Sequence, residues 1–297
     1  MPSLTIFTPT YNRSSTLLNL YHSLIQQTCQ DFEWIIVDDG STDNTEEQIT
    51  PLLTNSPFPI KYIKKNNEGK HIAINEGVKH AAGKWFFIVD SDDALTSDAI
   101  EIALAFCNQI ENDTRFAGVA GLRANANGVI WNNWFGSQPD TQLSIDSYID
   151  GTYIDYRYKF ALKGDRAEIV RTDIIKQYPF PKFSNEKFLV ESYLWLSLAK
   201  AGYLFRWFNK PIYITEYLED GLTRNIRNHY KNSPIGSYHV NNLRLSCKGI
   251  GIKEYIRSSY NYYRYGILAG EKTFLLFQKC NRKLLTCIGL PLALLRK

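Results

Sequence analysis

Apolar and polar positions alternate in blocks along the first 124 residues. Short apolar runs have the length of β-strands and lie at residues 4–10, 32–40, 60–65, 85–90 and 116–124. Stretches with apolar side chains three and four positions apart predict amphipathic helices at residues 14–28, 69–83 and 97–110. This alternation predicts an α/β fold in which a mostly parallel sheet is flanked by helices on both faces.

The second part of the chain has a mixed pattern. A helix is predicted at residues 185–202, and residues 204–221 favour strands. Residues 127–136 favour a hairpin or loop rich in tryptophan, and the chain favours helices from residue 234 onward. Because no linker or low-complexity segment separates these parts, we expect them to pack as one body.

Charge is distributed unevenly along the chain. Residues 222–297 contain 14 Lys and Arg against Glu254 and Glu271, a net charge of +12, whereas the 20 basic and 28 acidic residues before them give −8. A basic C-terminal region indicates an anionic partner, either a nucleic acid or a lipid surface. The acidic body and the absence of a recognised nucleic-acid-binding motif disfavour the first, so no nucleic-acid partner is expected.

Two features favour a cytoplasmic location. The five cysteines are odd in number and lack the spacing of metal ligands, which predicts reduced thiols. Residues 1–10 also lack the basic and long apolar regions of a secretory signal peptide.

Polar residues follow three of the predicted strands, at residues 8–13, 38–43 and 90–93. Because ligands of open parallel sheets bind at the carboxyl ends of the strands, these segments should meet along one edge. Each segment alone serves equally well as a turn or a helix cap. Three of them at the same edge favour a ligand site.

Asp90, Asp92 and Asp93 place three carboxylates within four positions. Carboxylates this close repel one another unless a cation lies between them. Mg²⁺ and Mn²⁺ bind carboxylate oxygens and usually bind a substrate diphosphate as well. Tyr11 could stack on a base and Asp39 could accept a hydrogen bond from it, so the edge predicts a site for a nucleoside diphosphate.

Three segments together resemble a known protein family: TPTYNR from Thr8, FEWIIVDDGSTDNT from Phe32 and NEGKHIAINEGVKHAAGKWFFIVDSDD from Asn67. In this order they resemble the family-two glycosyltransferases, strongly over residues 3–100 and more loosely over residues 164–195. The resemblance implies a GT-A fold with a Rossmann-like sheet and a metal-dependent transferase that inverts the anomeric centre. It also implies a nucleotide-sugar donor, UDP-linked by preference, and a lipid-linked or polysaccharide acceptor in bacterial cell-surface polysaccharide synthesis.

The resemblance further implies which residues bind the donor: Pro9, Tyr11, Arg13, Asp39, Lys70, Asp90, Ser91 and Asp92. The first three would line the nucleobase pocket and Asp39 would accept from the base. Asp90 would hold the ribose, and Asp92, together with Asp90, would ligate Mn²⁺ or Mg²⁺. Asp93 would instead cap the following turn.

One departure from the family pattern concerns residues 73–75, which are Ala-Ile-Asn where many relatives have Ala-Arg-Asn. The role of the missing arginine would pass to Lys70 or His71. A lone histidine is more often a structural residue than a ligand-binding one.

Inverting transfer needs a carboxylate that deprotonates the acceptor hydroxyl. In relatives it is often the second residue of a Glu-Asp pair four positions before a tryptophan; here Trp195 places it at Glu191, and Val190 replaces the first acid. Within the predicted helix, Glu191 would share a face with Phe188 and Trp195. Glu186 is the competing carboxylate, but a place in the first helical turn favours a structural role.

Several residues of the second half have two interpretations. Arg166 and Arg224 lie in charged loops and would either contact the diphosphate or acceptor or form surface ion pairs. Trp131 and Trp134 would either stack on acceptor sugars or pack in the core.

We therefore expect a glycosyltransferase domain at residues 1–221, in which residues 1–124 bind the nucleotide sugar and residues 125–221 the acceptor, followed by a basic helical region at 222–297. An uncharged apolar run at residues 284–295 is too short to span a bilayer, and basic residues bracket it: Arg282, Lys283, Arg296 and Lys297. It predicts either attachment to the anionic inner face of the cell membrane or a helix packed on the catalytic body.

Two other classes of protein were weighed. A nucleotidyltransferase uses a similar sheet edge but needs a basic, glycine-rich loop early in the chain, and residues 8–16 do not form one. A membrane-bound scaffold without activity is disfavoured by the intact acidic residues of the predicted site: Asp39, Asp90, Asp92 and Glu191.

Overall fold

The computed structural model describes residues 1–129, 147–162, 164–215 and 225–295. Strands and helices alternate in the first half as β1 (Leu4–Thr10), α1 (Ser14–Ile25), β2 (Phe32–Asp38), α2 (Thr45–Ile49), α3 (Leu52–Asn55), β3 (Ile60–Lys64), α4 (Lys70–His80), β4 (Trp85–Ile88), β5 (Ala94–Leu95), α5 (Ala99–Ile110) and β6 (Phe116–Ala124). The five strands and three helices predicted for this half are confirmed. The short α2, α3 and β5 are additional.

The second half contains β7 (Tyr148–Gly151), a π-helical turn (Asp155–Lys159), β8 (Arg166–Arg171), α6 (Thr172–Ile175), α7 (Ser192–Lys200) and β9 (Leu204–Ile214). The C-terminal region is helical, as predicted, with α8 (Ile226–Asn232), α9 (Pro234–Ser246), α10 (Ile252–Leu268), α11 (Thr273–Lys279), a 3₁₀ turn (Lys283–Leu285) and α12 (Thr286–Leu295). The prediction of a tryptophan-rich hairpin or loop at residues 127–136 falls outside the described residues from residue 130 onward, including Trp131 and Trp134, and so does the predicted domain boundary at residue 221.

The strands of the described residues form one nine-stranded sheet in the order β3-β2-β1-β4-β8-β6-β9-β5, with β7 beside β9. The first four strands in this order are parallel. β8 lies antiparallel between β4 and β6, and β9 runs parallel to β6. Because Thr10 pairs with Asp38 and Phe7 pairs with Ile88, the segments that follow β1, β2 and β4 leave the sheet at one edge.

Apolar side chains on the two faces of the sheet form two cores. Alternate residues of β1 show the division: Ile6 packs with buried residues of α1 and α5, and Phe7 packs with those of α4. The core around Phe7 continues into the C-terminal helices, because Val240 of α9 and Tyr262 of α10 belong to it. The helices after residue 225 are therefore packed on the catalytic body.

The helix predicted at residues 185–202 is shorter than expected, because it begins at Ser192 and ends at Lys200. Residues 185–190 are not helical, and Asn185 has a left-handed φ of 64°. A tertiary contact holds this segment: the carbonyl oxygen of Lys187 would lie only 1.8 Å from a Cβ placed on Gly69. Apolar spacing along one segment does not reveal a contact of this kind with another.

Candidate active site

An open cleft of about 1050 Å³ lies along the carboxyl edge of the parallel strands. Its walls include every residue predicted to bind the donor, together with the predicted base: Pro9, Tyr11, Arg13, Asp39, Lys70, Asp90, Ser91, Asp92 and Glu191. Residues from both halves of the chain therefore face one cavity.

The loops after β1 and β2 are fastened to each other. The backbone N–H of Asn12 donates to Ser41 Oγ at 2.9 Å, and the side-chain oxygen of Asn12 accepts from the Thr42 N–H at 2.8 Å. Asn12 has a positive φ of 52°, a conformation that asparagine tolerates better than most residues. These contacts hold Tyr11, which is 48% exposed, at the mouth of the cleft.

Asp39, which is predicted to accept a hydrogen bond from the nucleobase, is buried and already accepts three hydrogen bonds. Its carboxylate accepts from the backbone N–H groups of Glu68 at 2.9 Å and Gly69 at 2.7 Å, and from Lys65 Nζ at 2.9 Å. A carboxylate has about four lone-pair positions, so one remains for a further donor. Asp39 thus fastens the loop before α4 to the end of β2.

A lysine connects the donor edge to the predicted base. Lys70 Nζ lies 2.5 Å from Asp90 Oδ1 and 2.5 Å from Glu191 Oε1. Burial alone would lower the pKa of Lys70, but the charges of Asp90 and Glu191 outweigh burial and raise it. The lysine therefore stays charged between two carboxylates that would otherwise repel each other.

The three neighbouring aspartates have different electrostatic surroundings. Burial acts to raise the pKa of Asp90, yet the Lys70 and Arg123 charges lower it overall. Burial and the Asp90 charge raise the pKa of Asp92, and the same two causes raise that of Asp93 to about 7. Asp93 is buried beside Arg123, with 3.8 Å between Oδ2 and Nη1, so its contacts are internal.

Asp92 has the surroundings of a cation ligand. It faces the cleft, and a nearby positive ion would relieve the burial and repulsion that raise its pKa. The described residues contain no group of three or more His, Cys, Asp or Glu side chains arranged to hold an ion. This donor set fits a cation held by one or two carboxylates and completed by substrate phosphates, as is common for Mg²⁺.

Glu191 lies where the irregular segment at residues 185–190 enters α7, and not on a helical face. It occupies the N-cap position of α7, so the predicted helical neighbourhood with Phe188 is wrong. Glu186 likewise lies outside any helix, and its carboxylate accepts from the backbone N–H groups of Ile235 at 2.6 Å and Gly236 at 2.8 Å. A structural role at a helix N-terminus is confirmed for Glu186, although the helix is α9.

Arg123 and Glu168 are among the charged residues of the cleft that sequence reasoning missed. Arg123 of β6 lies with its guanidinium 4.1 Å from the centre of the Tyr213 ring, and it donates from Nε to the Arg166 carbonyl at 2.9 Å. Glu168 of β8 faces the cleft, where burial raises its pKa to about 8. For Arg123 the available signal was a charged residue inside an otherwise apolar strand, and for Glu168 it was an acid in the interior of a strand with arginines at both ends.

Three further predictions concern positively charged or titratable groups. His71 is buried, and burial lowers its pKa to about 4, so it is neutral and cannot replace an arginine. Lys70 is the cation that the segment supplies. Arg166 is buried and donates from Nε to Tyr156 Oη at 2.6 Å, so a surface ion pair is excluded, while Arg224 lies outside the described residues.

Gly69 lies where the loop before α4 contacts the segment that carries Glu191. Its φ of 96° disfavours any side chain, and a Cβ would approach the Lys187 backbone within 1.8 Å. We expect Gly69→Ala to lower the free energy of unfolding by about 2–4 kcal/mol. It should also weaken binding of the nucleotide sugar, because the shifted backbone would no longer donate its N–H to the Asp39 carboxylate.

Gly202 provides a matched control for this substitution. It also has a positive φ, 90°, but no atom lies within 4 Å of a Cβ placed there. Thermal denaturation of Gly202→Ala should show the backbone cost alone, about 1–2 kcal/mol, with unchanged donor binding. Equal losses in the two variants would mean that the contact with Lys187 has no energetic role.

The curled sheet, parallel in its first half, with an acidic cleft at its carboxyl edge, defines the class: this is a GT-A-fold protein. It superposes on residues 1–349 of TarS from S. aureus in complex with UDP-GlcNAc with a TM-score of 0.60 and 18% identity, over 90% of this chain and 73% of that one. It also superposes on a mannosyltransferase from Pyrobaculum calidifontis in complex with GDP-Man and Mn²⁺ with a TM-score of 0.55 and 15% identity, over 99% and 81%. At these identities the likeness shows the fold alone.

The chain belongs to glycosyl transferase family 2, whose family model matches residues 5–174, more than half of its length. An uncharacterized glycosyltransferase of Rickettsia conorii is 38% identical over 125 residues, which are 42% of this chain and 20% of that protein. A chondroitin synthase of Pasteurella multocida is 38% identical over 104 residues, 35% of this chain and 11% of that protein. The matched segments thus span a fifth or less of these two relatives.

Proposed function

We propose that this protein transfers a sugar from a nucleoside-diphosphate sugar, UDP-linked by preference, to a saccharide or lipid-linked acceptor with inversion at the anomeric carbon. One observation carries the proposal: Lys70 Nζ lies 2.5 Å from Asp90 at the donor edge and 2.5 Å from Glu191 on the opposite segment. The general base and the diphosphate site must be this close for a direct displacement, in which the acceptor attacks the anomeric carbon as the diphosphate leaves in the same step.

The residues around the cleft have complementary tasks in this reaction. Tyr11 and the remaining lone pair of Asp39 bind the base, and Asp90 holds the ribose. Glu191 takes the proton of the acceptor hydroxyl while the acceptor oxygen forms its bond to the anomeric carbon. The bond from that carbon to the diphosphate oxygen breaks on the other face, and Lys70 lies close enough to offset the charge that develops there.

We propose Asp92, assisted by Asp90, as the protein ligand of Mn²⁺ or Mg²⁺. The cation would neutralise the departing diphosphate as a Lewis acid. Asp92 supports this role because its carboxylate faces the cleft and its pKa is raised by burial and by Asp90. Because Lys70 already pairs with Asp90, Asp92 is the more accessible of the two ligands.

The acceptor is proposed to lie beyond Glu191, where the cleft is lined by aromatic side chains: Tyr153, Tyr158, Phe188, Trp195 and Tyr230. Aromatic faces pack against the apolar faces of sugar rings, so these residues favour a saccharide. The partial match to a chondroitin synthase agrees with a role in cell-surface polysaccharide synthesis. We propose a cytoplasmic site of action, which agrees with five cysteines of which none forms a disulfide.

A donor screen tests the proposal. Purified protein is incubated with Mn²⁺, a panel of UDP-, GDP- and CDP-sugars and short oligosaccharides, and the released nucleoside diphosphate is measured. We expect release from one donor class only, with an anomeric configuration in the product opposite to that of the donor by NMR. Retention of configuration would contradict the role of Glu191. In a parallel incubation with nucleoside triphosphates and sugar phosphates, pyrophosphate release would indicate a nucleotidyltransferase.

A further inference from the structure

Exposed large apolar side chains are concentrated at one end of the described chain. Nine of them lie between residues 268 and 295: Leu268, Phe274, Leu275, Phe277, Leu284, Ile288, Leu292, Leu294 and Leu295. The other seven are spread over residues 1–252. We call the nine side chains the C-terminal apolar face. A concentration of exposed apolar side chains of this kind usually marks an interaction site.

Helix α12 shows that this exposure is built into the fold. Its inward positions are small, with Gly289 and Ala293 buried, and a Cβ on Gly289 would come within 2.2 Å of Ser259 Oγ on α10. Tyr263 of α10 also hydrogen-bonds to Thr286 Oγ1 at 2.6 Å. Leu290 packs on the body, but the other four bulky apolar residues of the helix are exposed: Ile288, Leu292, Leu294 and Leu295. A helix that only packs on a soluble core would have polar residues at such positions.

The segment that carries the C-terminal apolar face is strongly basic. Residues 268–297 contain Glu271 as their single acid and six basic residues: Lys272, Lys279, Arg282, Lys283, Arg296 and Lys297. The side chains of Lys272, Lys279 and Lys283 are exposed, and Lys283 Nζ lies 5.7 Å from the centre of the Phe277 ring. An apolar surface with basic residues beside it is complementary to the acyl and headgroup layers of an anionic bilayer.

We propose that the C-terminal apolar face docks on an anionic lipid bilayer, with α11 and α12 lying in the headgroup layer. None of the helices in the described part of the chain is long and apolar enough to cross a bilayer, so the contact is with the surface. A second copy is a poorer occupant, because a two-fold interface would bring the two basic segments together. The inference holds whatever sugar is transferred.

The structure confirms the interpretation in which this region packs on the body, and attachment to a membrane stays a proposal. Helix α12 packs on the body through Gly289 and Ala293, and it also presents apolar side chains outward. Deletion of residues 271–297 would expose buried α10 residues, among them Tyr262, whose hydroxyl donates to the Leu276 carbonyl. Substitutions on the exposed face separate the two roles more cleanly than truncation.

Vesicle co-sedimentation of the full chain tests the proposal. The variant Phe274→Ser/Leu284→Ser/Leu292→Ser removes side chains that are 66%, 89% and 41% exposed. We expect the unchanged protein to sediment with phosphatidylglycerol-containing vesicles at low ionic strength, and high salt should weaken binding, since each basic residue contributes roughly fivefold. The triple variant should bind on the order of 10²-fold more weakly or worse.

A matched control removes three exposed apolar side chains elsewhere: Ile25→Ser/Leu53→Ser/Val129→Ser, with exposures of 41%, 40% and 60%. It should sediment like the unchanged protein, and both variants should keep the native circular dichroism spectrum. The proposal is overturned if the unchanged chain stays in the supernatant or binds pure phosphatidylcholine equally well. The face would instead be assigned to a second copy if the unchanged protein were a dimer, the triple variant at Phe274, Leu284 and Leu292 were a monomer, and both sedimented equally with vesicles.

Discussion

Asp92→Ala should abolish sugar transfer and metal-dependent donor binding while the protein stays folded. The carboxylate lies after β4 on the wall of an open cleft, where burial and the Asp90 charge raise its pKa. Removing it relieves repulsion in the protein without ligands, so the fold should not be weakened. With a cation ligand lost, the diphosphate would depart without neutralisation, and we expect transfer to fall by 10³-fold or more, on the order of 4 kcal/mol.

The measurement is transfer activity with isothermal titration of donor in Mn²⁺ and in EDTA, together with thermal denaturation. Asp98→Ala is the control, because Asp98 is an exposed carboxylate that follows β5, at the N-cap of α5. It should match the unchanged protein in transfer and donor binding, with a loss of stability of about 1 kcal/mol at most from the cap. Full activity of the unchanged protein in EDTA would show that no metal takes part and that Asp92 has another role.

Glu191→Gln should keep donor binding and lower the rate of transfer roughly 10²–10⁴-fold, the usual contribution of a positioned general base. Glutamine keeps the shape of the side chain but cannot accept the acceptor's proton. It also removes one of the two charges that Lys70 pairs with, while the pair with Asp90 remains. The loss should therefore appear in kcat rather than in the dissociation constant of the donor.

Glu186→Gln is the matched control for this substitution. Its carboxylate accepts from two backbone N–H groups of α9, and an amide oxygen can replace only part of that bonding. We expect a loss of stability of about 1 kcal/mol and little change in kcat. If Glu186→Gln lowered kcat strongly and Glu191→Gln did not, the base would have been assigned to the wrong carboxylate.

Lys70 explains why the two halves of the site work together. Asp90 belongs to the donor edge and Glu191 to a segment far along the chain, yet one ammonium group contacts both. When a donor diphosphate enters, its charge competes with these carboxylates for the lysine. Under the proposed function, donor binding would therefore free Glu191, the proposed general base.

The predicted donor edge follows from local patterns. Short apolar strands alternate with amphipathic helices, and polar residues follow Thr10, Asp38 and Val89. Parallel strands necessarily bring their carboxyl ends to one side, so the meeting of these loops could be derived without coordinates. The position of Glu191 on the same cleft was inferred from a motif, and the structure places it there although the helix around it is shorter than predicted.

Local sequence thus determined the alternating α/β architecture, the acidic sheet edge and the basic, apolar end of the chain. The tertiary structure alone decided that Lys70 bridges Asp90 and Glu191, that Glu186 caps α9 and that Glu168 faces the cleft. It also decided which side of α12 points outward. The physical reason is that periodicity and motifs report a residue's immediate neighbours, whereas these arrangements depend on contacts between segments far apart in the chain, set by how the sheet and helices pack.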